Sequence, residues 1–191
     1  AVGYAARYSL ASLIGESPAF RAMIERAGRA ARSGSHLLLQ GETGTGKQRL
    51  AHGIHQAGPR AAGPLITVRC GDMPPDLLEQ EIFGADDGAG TRSPGKLELA
   101  RGGTLFIDEI EKMPPVLAER LADAFAGPGP RQPELAPDVR IIAACDSDLR
   151  RLVDKGKFPA RLLELMARPV IRVPALRARR EDIPLLAGHI I

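Results

Sequence analysis

The chain has 191 residues, of which 44% are apolar and 26% charged, and its 26 Lys and Arg against 23 Asp and Glu leave a net charge of +3. That length holds one domain with a sizeable core and leaves room for the start of a second. So small a surplus does not signal a nucleic-acid surface, and a chain with no Trp, two Tyr and five Phe offers few platforms for stacked bases. Cys70 and Cys145 lie far apart with no CxxC or His-rich context, so they predict buried, reduced thiols of a cytoplasmic protein and no metal site or disulfide framework. No apolar run approaches the roughly 18 residues of a membrane span, and no membrane association is expected.

In chain order, helix patterns alternate with short apolar strands, which argues for an α/β fold with a parallel sheet flanked by helices. Ser17-Pro18 reads as an N-cap with proline at the first helical position, and Phe20, Met23, Ile24 and Ala27 form one apolar stripe behind it. "HLLLQ" at 36–40 is a short buried strand. The loop Gly41 to Gly46 follows it, and a helix from about Lys47 to Ala57 stops at Gly58-Pro59. "LITVRC" at 65–70 is a second strand, "PDLLEQEIFG" a helix closed by Gly84, and "GTLFIDEI" at 103–110 a third strand whose apolar run ends in two carboxylates. A helix over "PPVLAERLADAFAG", a loop "GPGPRQPELAP", and strands at 139–145 ("VRIIAAC") and 170–176 ("VIRVPAL") complete the series. Asp182 is placed to cap a helix that runs into the terminus, so the sequence reads as cut inside a larger protein.

Gly41-x-x-x-x-Gly46-Lys47 follows a strand and opens a helix, the setting a phosphate-binding loop requires. Its glycines let backbone N–H groups turn inward, and Lys47 reaches for the outer phosphates of a nucleotide. The candidate nucleotide-binding residues here are Gly41, Glu42, Thr43, Gly44, Thr45, Gly46, Lys47 and Gln48, with Gln48 standing where such loops usually carry serine or threonine. Asp108 and Glu109 end an apolar strand, the edge where open α/β sheets bind ligands. Asp108 is the candidate Mg²⁺ holder and Glu109 the candidate catalytic residue that orients and deprotonates a water. His52 and His55 are three apart on the helix after the loop without a third ligand in view, and read as packing or surface residues.

From about residue 12 to the end, "LIGESPAF", "GETGTGKQ", "IHQAGPRAAGP", "LLEQEIFG", "GKLELARGGTLFIDEIEKMP", "VRIIAACDSDL" and "VPALRARREDIPLLAGHI" resemble, in order, the motifs of the AAA+ domain of bacterial enhancer-binding proteins, which remodel RNA polymerase carrying sigma-54. The resemblance implies an AAA+ P-loop NTPase fold, with a linker over 1–11, the α/β nucleotide-binding subdomain over 12–180 and the start of a helical lid over 181–191. It implies ATP and Mg²⁺ as ligands, Ile14 and Gly15 on the adenine side, and Arg177 to Asp182 as the connection to the lid. It also implies self-association into a dimer or ring, RNA polymerase as a partner, and DNA contact only through a segment this sequence does not contain.

Several positions depart from the family's pattern. In "GADDGAGTRSPGKLELA" the stretch Gly88-Ala89-Gly90-Thr91 stands where the family's GAFTGA loop grips sigma-54, and Gly90 takes the place of the contacting phenylalanine. Without that apolar tip, contact with sigma-54 is not expected. Asp146 stands at the family's sensor asparagine, where a carboxylate repels a phosphate that an amide would bind. Arg69 stands at the asparagine that restrains the catalytic glutamate, and the expectation is that it pairs with Glu109. Pro159 and Leu165 fill both positions of the arginines that reach a neighbour's ATP, leaving Arg161 or Arg168 as shifted substitutes. Since such arginines supply about 10³–10⁵ in rate, hydrolysis is expected to be weak. The resulting expectation is a nucleotide-dependent assembly switch in a transcription regulator. The alternatives are an active ATPase that remodels polymerase, and a sensor of another nucleotide such as a cyclic dinucleotide.

Overall fold

The computed structural model describes residues 6–86, 92–125 and 137–190. In chain order its elements are α1 (Pro18–Ser33), β1 (Leu37–Gln40), α2 (Lys47–Gln56), β2 (Leu65–Arg69), α3 (Pro75–Phe83), β3 (Gly84–Asp86), β4 (Arg92–Pro94), α4 (Lys96–Leu99), β5 (Thr104–Asp108), α5 (Pro115–Phe125), β6 (Arg140–Cys145), α6 (Leu149–Asp154), α7 (Ala160–Met166), β7 (Val170–Arg172) and α8 (Ile183–Ile190). Five strands form one parallel sheet in the order β2-β5-β6-β1-β7, while β3 and β4 make a separate antiparallel hairpin.

The period-two alternation of the strands divides the core in two. Leu38, Leu105, Ile107, Ile141, Ala143 and Cys145 face the side covered by α3, α5 and α7, where Leu78, Ile82, Leu117, Leu121, Leu162 and Met166 pack against them. Leu37, Leu39, Phe106, Ile142 and Ala144 face the side covered by α1 and α2, meeting Phe20, Met23, Ala27, Leu50 and Ile54. Covered on both faces, the strands carry near-continuous apolar runs, as the sequence pattern implied. Arg140 begins β6 at 2% exposure, and its guanidinium donates to the carbonyls of Ala30, Ala31 and Ser35. It thereby closes the C-terminal end of α1, whose last carbonyls have no partners within the helix.

The expected elements are present, and two strands end earlier than expected. The third expected strand ends at Asp108, because Glu109 takes a left-handed φ of 54°. The last strand stops at Arg172; Val173 still donates to Gln40, but Pro174 has no N–H to continue the ladder. The hairpin β3–β4 has no counterpart in the sequence reading, and Gly88, Ala89, Gly90 and Thr91 lie outside the described residues. Ser17 caps α1 as expected, its hydroxyl accepting from the Phe20 amide. Asp182 has a different role from the one expected. Its carboxylate accepts from the amides of Glu16 and Ser17 at 2.7 and 2.8 Å and from the Ser17 hydroxyl at 2.8 Å, so it fastens the last helix's approach to the start of α1.

Candidate functional site

The sheet places the C-terminal ends of β1, β5 and β6 side by side, and the loop leaving β1 curls over that edge before entering α2. Gly41 donates to the Cys145 carbonyl, and a Cβ there would sit 2.7 Å from the Val173 carbonyl oxygen, so no larger residue fits. Gly44 and Gly46 hold left-handed φ values of 82° and 95° with open space where a side chain would project. This turns the loop backbone inward at the N-terminus of α2. Lys47 is 9% exposed, and its Nζ bonds the carbonyls of Gly41 at 2.6 Å and Glu42 at 3.0 Å, which holds the ammonium over the loop.

A cleft of about 370 Å³ separates this loop from the strand ends, with Gln48, Arg69, Asp108, Glu109, Glu111 and Asp146 on its walls. Asp108 accepts the Glu109 amide through Oδ1 at 3.1 Å. Arg69 does not pair with Glu109 as expected. The register of β2 against β5 sets it beside Asp108, with Nε 3.5 Å from Oδ2, and its other end meets Asp72. Glu109 is instead held by Lys112, Nζ to Oε2 at 3.0 Å, because its left-handed turn brings the residue three positions on within reach. Restraint of the glutamate by a cation is present, then, but from the following turn and not from the neighbouring strand.

Asp146 lies where the sequence reading put it, across the cleft from the loop, with Thr43 Oγ1 3.5 Å from Oδ2. Its amide donates to Glu111 Oε1 at 3.1 Å, while Glu111 Oε2 is buried without a partner. Burial, and then the neighbouring Asp146 carboxyl, push the Glu111 pKa up to about 7. Glu111 was not among the sequence candidates, and its only advance sign was its place two residues beyond the acid pair in "DEIE".

On the other side of the loop a cavity of about 830 Å³ is bounded by Ile14, Phe20, Thr45, Leu176, Arg177 and Arg179. Ile14 lines it as expected. Gly15 is adjacent and packs on Phe20, where a Cβ would come within 2.5 Å of the ring. Glu42 binds the Arg177 guanidinium through both carboxylate oxygens, which ties the loop to the turn at Leu176–Ala178. Arg179, 9% exposed, lies over the Phe20 ring and reaches the Thr45 carbonyl. Neither contact was foreseen beyond the general placing of residues 177–182.

Apart from Cys145, which lines the cleft, the remaining candidates fall outside these cavities. Pro159 is buried at the start of α7 and Leu165 packs against the core, so neither presents a group to a second chain. Arg161 forms an exposed pair with Asp123 at 2.7 Å, and Arg168 is exposed beyond α7. His52 and His55 are buried; His52 Nδ1 accepts the Arg7 amide, His55 Nδ1 bonds Thr104 Oγ1, and burial lowers both pKa values, as packing histidines require. Cys70 and Cys145 are buried free thiols whose pKa values burial pushes up to about 12, which leaves them unreactive. Among the described residues no helix is long and apolar enough to cross a membrane.

A family model described as the sigma-54 interaction domain matches residues 13–171. The chain belongs to that family. It is 44% identical over 187 residues to the DNA-binding transcriptional regulator NtrC of Salmonella typhimurium, an alignment covering 94% of this chain and 40% of that protein. It is 42% identical over 197 residues to the phenol regulator MopR of Acinetobacter guillouiae, covering 96% and 34% respectively. The sigma-54 interaction domain described here thus spans about a third to two-fifths of the length of these relatives. A crystal structure of NtrX from Brucella abortus in complex with ATP superposes with a TM-score of 0.81 at 32% identity, over 91% of this chain and 39% of that one. The P-loop NTPase domain of a sigma-54 activator from Escherichia coli superposes with a TM-score of 0.61 at 22% identity, over 85% of this chain and 99% of that one, a likeness of fold alone. The architecture is accordingly that of an AAA+ P-loop NTPase.

Proposed function

We propose that this domain binds ATP with Mg²⁺ as the AAA+ module of a bacterial transcription regulator, and that bound nucleotide governs its assembly while hydrolysis stays slow. The observation that carries the reading is the inward-turned loop with Lys47 above it, facing Asp108 and Glu109 across a cleft of about 370 Å³. The residues present fit the ligand. Gly44 and Gly46 leave open space at the mouth of the loop, the α2 N-terminus favours anions, and the cavity bounded by Ile14 and Phe20 supplies an apolar wall for a base. The crystal structures of NtrX, a 32% identical protein solved with ATP and with ADP, support the same assignment.

In this reading Lys47 leaves the loop carbonyls to meet the outer phosphates, and Asp108 faces the metal's water shell. A Mg²⁺ ion held there would offset charge on the phosphate oxygens. Glu109 orients the attacking water and takes its proton, once it parts from Lys112. Turnover is slow for two reasons on the chain itself. Pro159 and Leu165 are packed inward where a cation for the neighbouring site is needed, and Glu109 begins in an ion pair. With Gly90 in place of an aromatic tip, the regulator engages polymerase without the sigma-54 grip, or not at all.

Calorimetric titration of ATP and ADP, with phosphate release followed across a protein concentration series, tests the proposal. Nucleotide should bind with flat, near-background turnover at all concentrations. No binding overturns the reading, and turnover that climbs steeply with concentration overturns its slow-hydrolysis half and makes Arg161 and Arg168 the residues to substitute.

A further inference from the structure

We propose that Arg69 is a phosphate-contacting residue that takes over part of the divalent cation's role, so that nucleotide binding by this domain depends little on Mg²⁺. The inference rests on the nucleotide-binding reading above and deepens it.

Arg69 and Asp108 are register partners at the ends of adjacent strands, so their side chains leave the sheet on the same side and into the same cleft. The guanidinium Nε is 3.5 Å from Asp108 Oδ2, and Nη1 is 3.5 Å from Asp72 Oδ2. Both contacts are ion pairs at longer range than a charge-assisted hydrogen bond, so the planar fork keeps N–H donors for another anion. The two partners also differ in freedom. The Asp108 side chain is 15% exposed and fixed by the Glu109 amide, whereas the Arg69 side chain is 43% exposed and can turn toward the loop.

A divalent cation that joins Asp108 must approach a carboxylate whose charge is already balanced, and must do so beside a guanidinium that repels it. Mg²⁺ also gives up its waters reluctantly and depends on a carboxylate together with phosphate oxygens to hold it. The same guanidinium supplies what the cation would otherwise supply: positive charge beside the outer phosphates, with two donors spaced to meet two phosphate oxygens. Lys47 reaches the phosphates from the loop side, and Arg69 meets them from the sheet side.

The test compares ATP affinity by calorimetry in millimolar Mg²⁺ with affinity in excess EDTA, for the native protein, Arg69→Asn and Arg69→Lys. In the native protein the two dissociation constants should lie within about fivefold of each other, since the Arg69 guanidinium already stands where the second positive charge would bind. Arg69→Asn should weaken binding in EDTA by about tenfold or more, and Mg²⁺ should recover most of that loss. Arg69→Lys keeps the charge without the fork and should keep the Mg²⁺ effect small. A native Mg²⁺ effect above about fivefold, or unchanged EDTA affinity in Arg69→Asn, overturns the role given to Arg69 while leaving nucleotide binding intact. Absence of binding to the native protein in both buffers instead brings down the nucleotide reading itself.

Discussion

Replacing Glu111 with glutamine tests the electrostatics of the cleft without any nucleotide. Glu111 Oε1 accepts the Asp146 amide, Oε2 is buried without a partner, and the pKa rises from an ordinary 4.5 to about 7. A carboxyl whose proton affinity is higher in the folded protein stabilises the fold fully below its unfolded pKa, and that contribution is lost as pH rises through the folded pKa. Allowing for partial solvent access, the loss between about pH 5 and pH 8 is on the order of 1–2 kcal/mol. The native protein alone would hide it. Burial lowers the pKa values of His36, His52 and His55, and those histidines stabilise the fold increasingly as pH rises from acid toward neutral, the opposite sign. The difference between Glu111→Gln and native removes them. Urea unfolding at a series of pH values should show the variant gaining on native by that amount as pH rises, with the slope against urea unchanged. Two parallel stability curves would show that Glu111 takes no unusual proton, and the account of the cleft's charge would fail with it.

Lys47→Ala should weaken ATP binding by on the order of 1.5–3 kcal/mol in calorimetry while leaving the urea midpoint nearly unchanged, because it removes a charge-assisted phosphate contact. Arg140→Met should destabilise the fold by on the order of 2–4 kcal/mol in the same urea assay, since three carbonyls at the end of α1 lose their shared donor. Pro159→Arg combined with Leu165→Arg should raise phosphate release with protein concentration only if Lys112 lets Glu109 go, so Lys112→Ala in that background should raise it further.

What the sequence made legible is what local pattern encodes. The glycine spacing before Lys47 and the apolar run ending at Asp108 each define a loop or an edge within a few residues, and the structure brings both to one cleft. What it left hidden depends on register or on distant packing. Arg69 and Asp108 are 39 positions apart, and only the offset of β2 against β5 decides whether the guanidinium meets Asp108 or the next acid along. A shift of one residue exchanges the two, which is how the expected pair with Glu109 went astray. Asp182 reads locally as a helix cap, yet its partners are Glu16 and Ser17 at the far end of the chain. Glu111 is not singled out by its sequence, because nothing in "DEIE" shows that a 3₁₀ turn after Glu109 directs it under Asp146.

Among the described residues these pairings leave one carboxylate of the cleft without an ion pair, and it bears on which nucleotide the domain would prefer. Asp108 faces Arg69, Glu109 faces Lys112, and Glu111, its pKa raised to about 7, carries a proton below neutral pH. Among the described residues no cation lies within ion-pair distance of Asp146, whose carboxylate meets the Thr43 hydroxyl at 3.5 Å and adjoins the Glu111 carboxyl. Asp146 directly follows β6 on the wall of the cleft, and in the proposed binding mode the outermost phosphate extends toward it. A triphosphate therefore brings its terminal charge nearer to Asp146 than a diphosphate does. At a separation of several ångströms near the surface, the repulsion is on the order of 1 kcal/mol, or about fivefold in affinity. Native protein should accordingly favour ADP over ATP more than Asp146→Asn does, and the variant should gain affinity for ATP while its affinity for ADP hardly moves. Calorimetry with both nucleotides, repeated at high salt where the difference should shrink, measures this directly. An equal gain for ATP and ADP would mean that Asp146 acts on the loop through Thr43 rather than on the terminal phosphate.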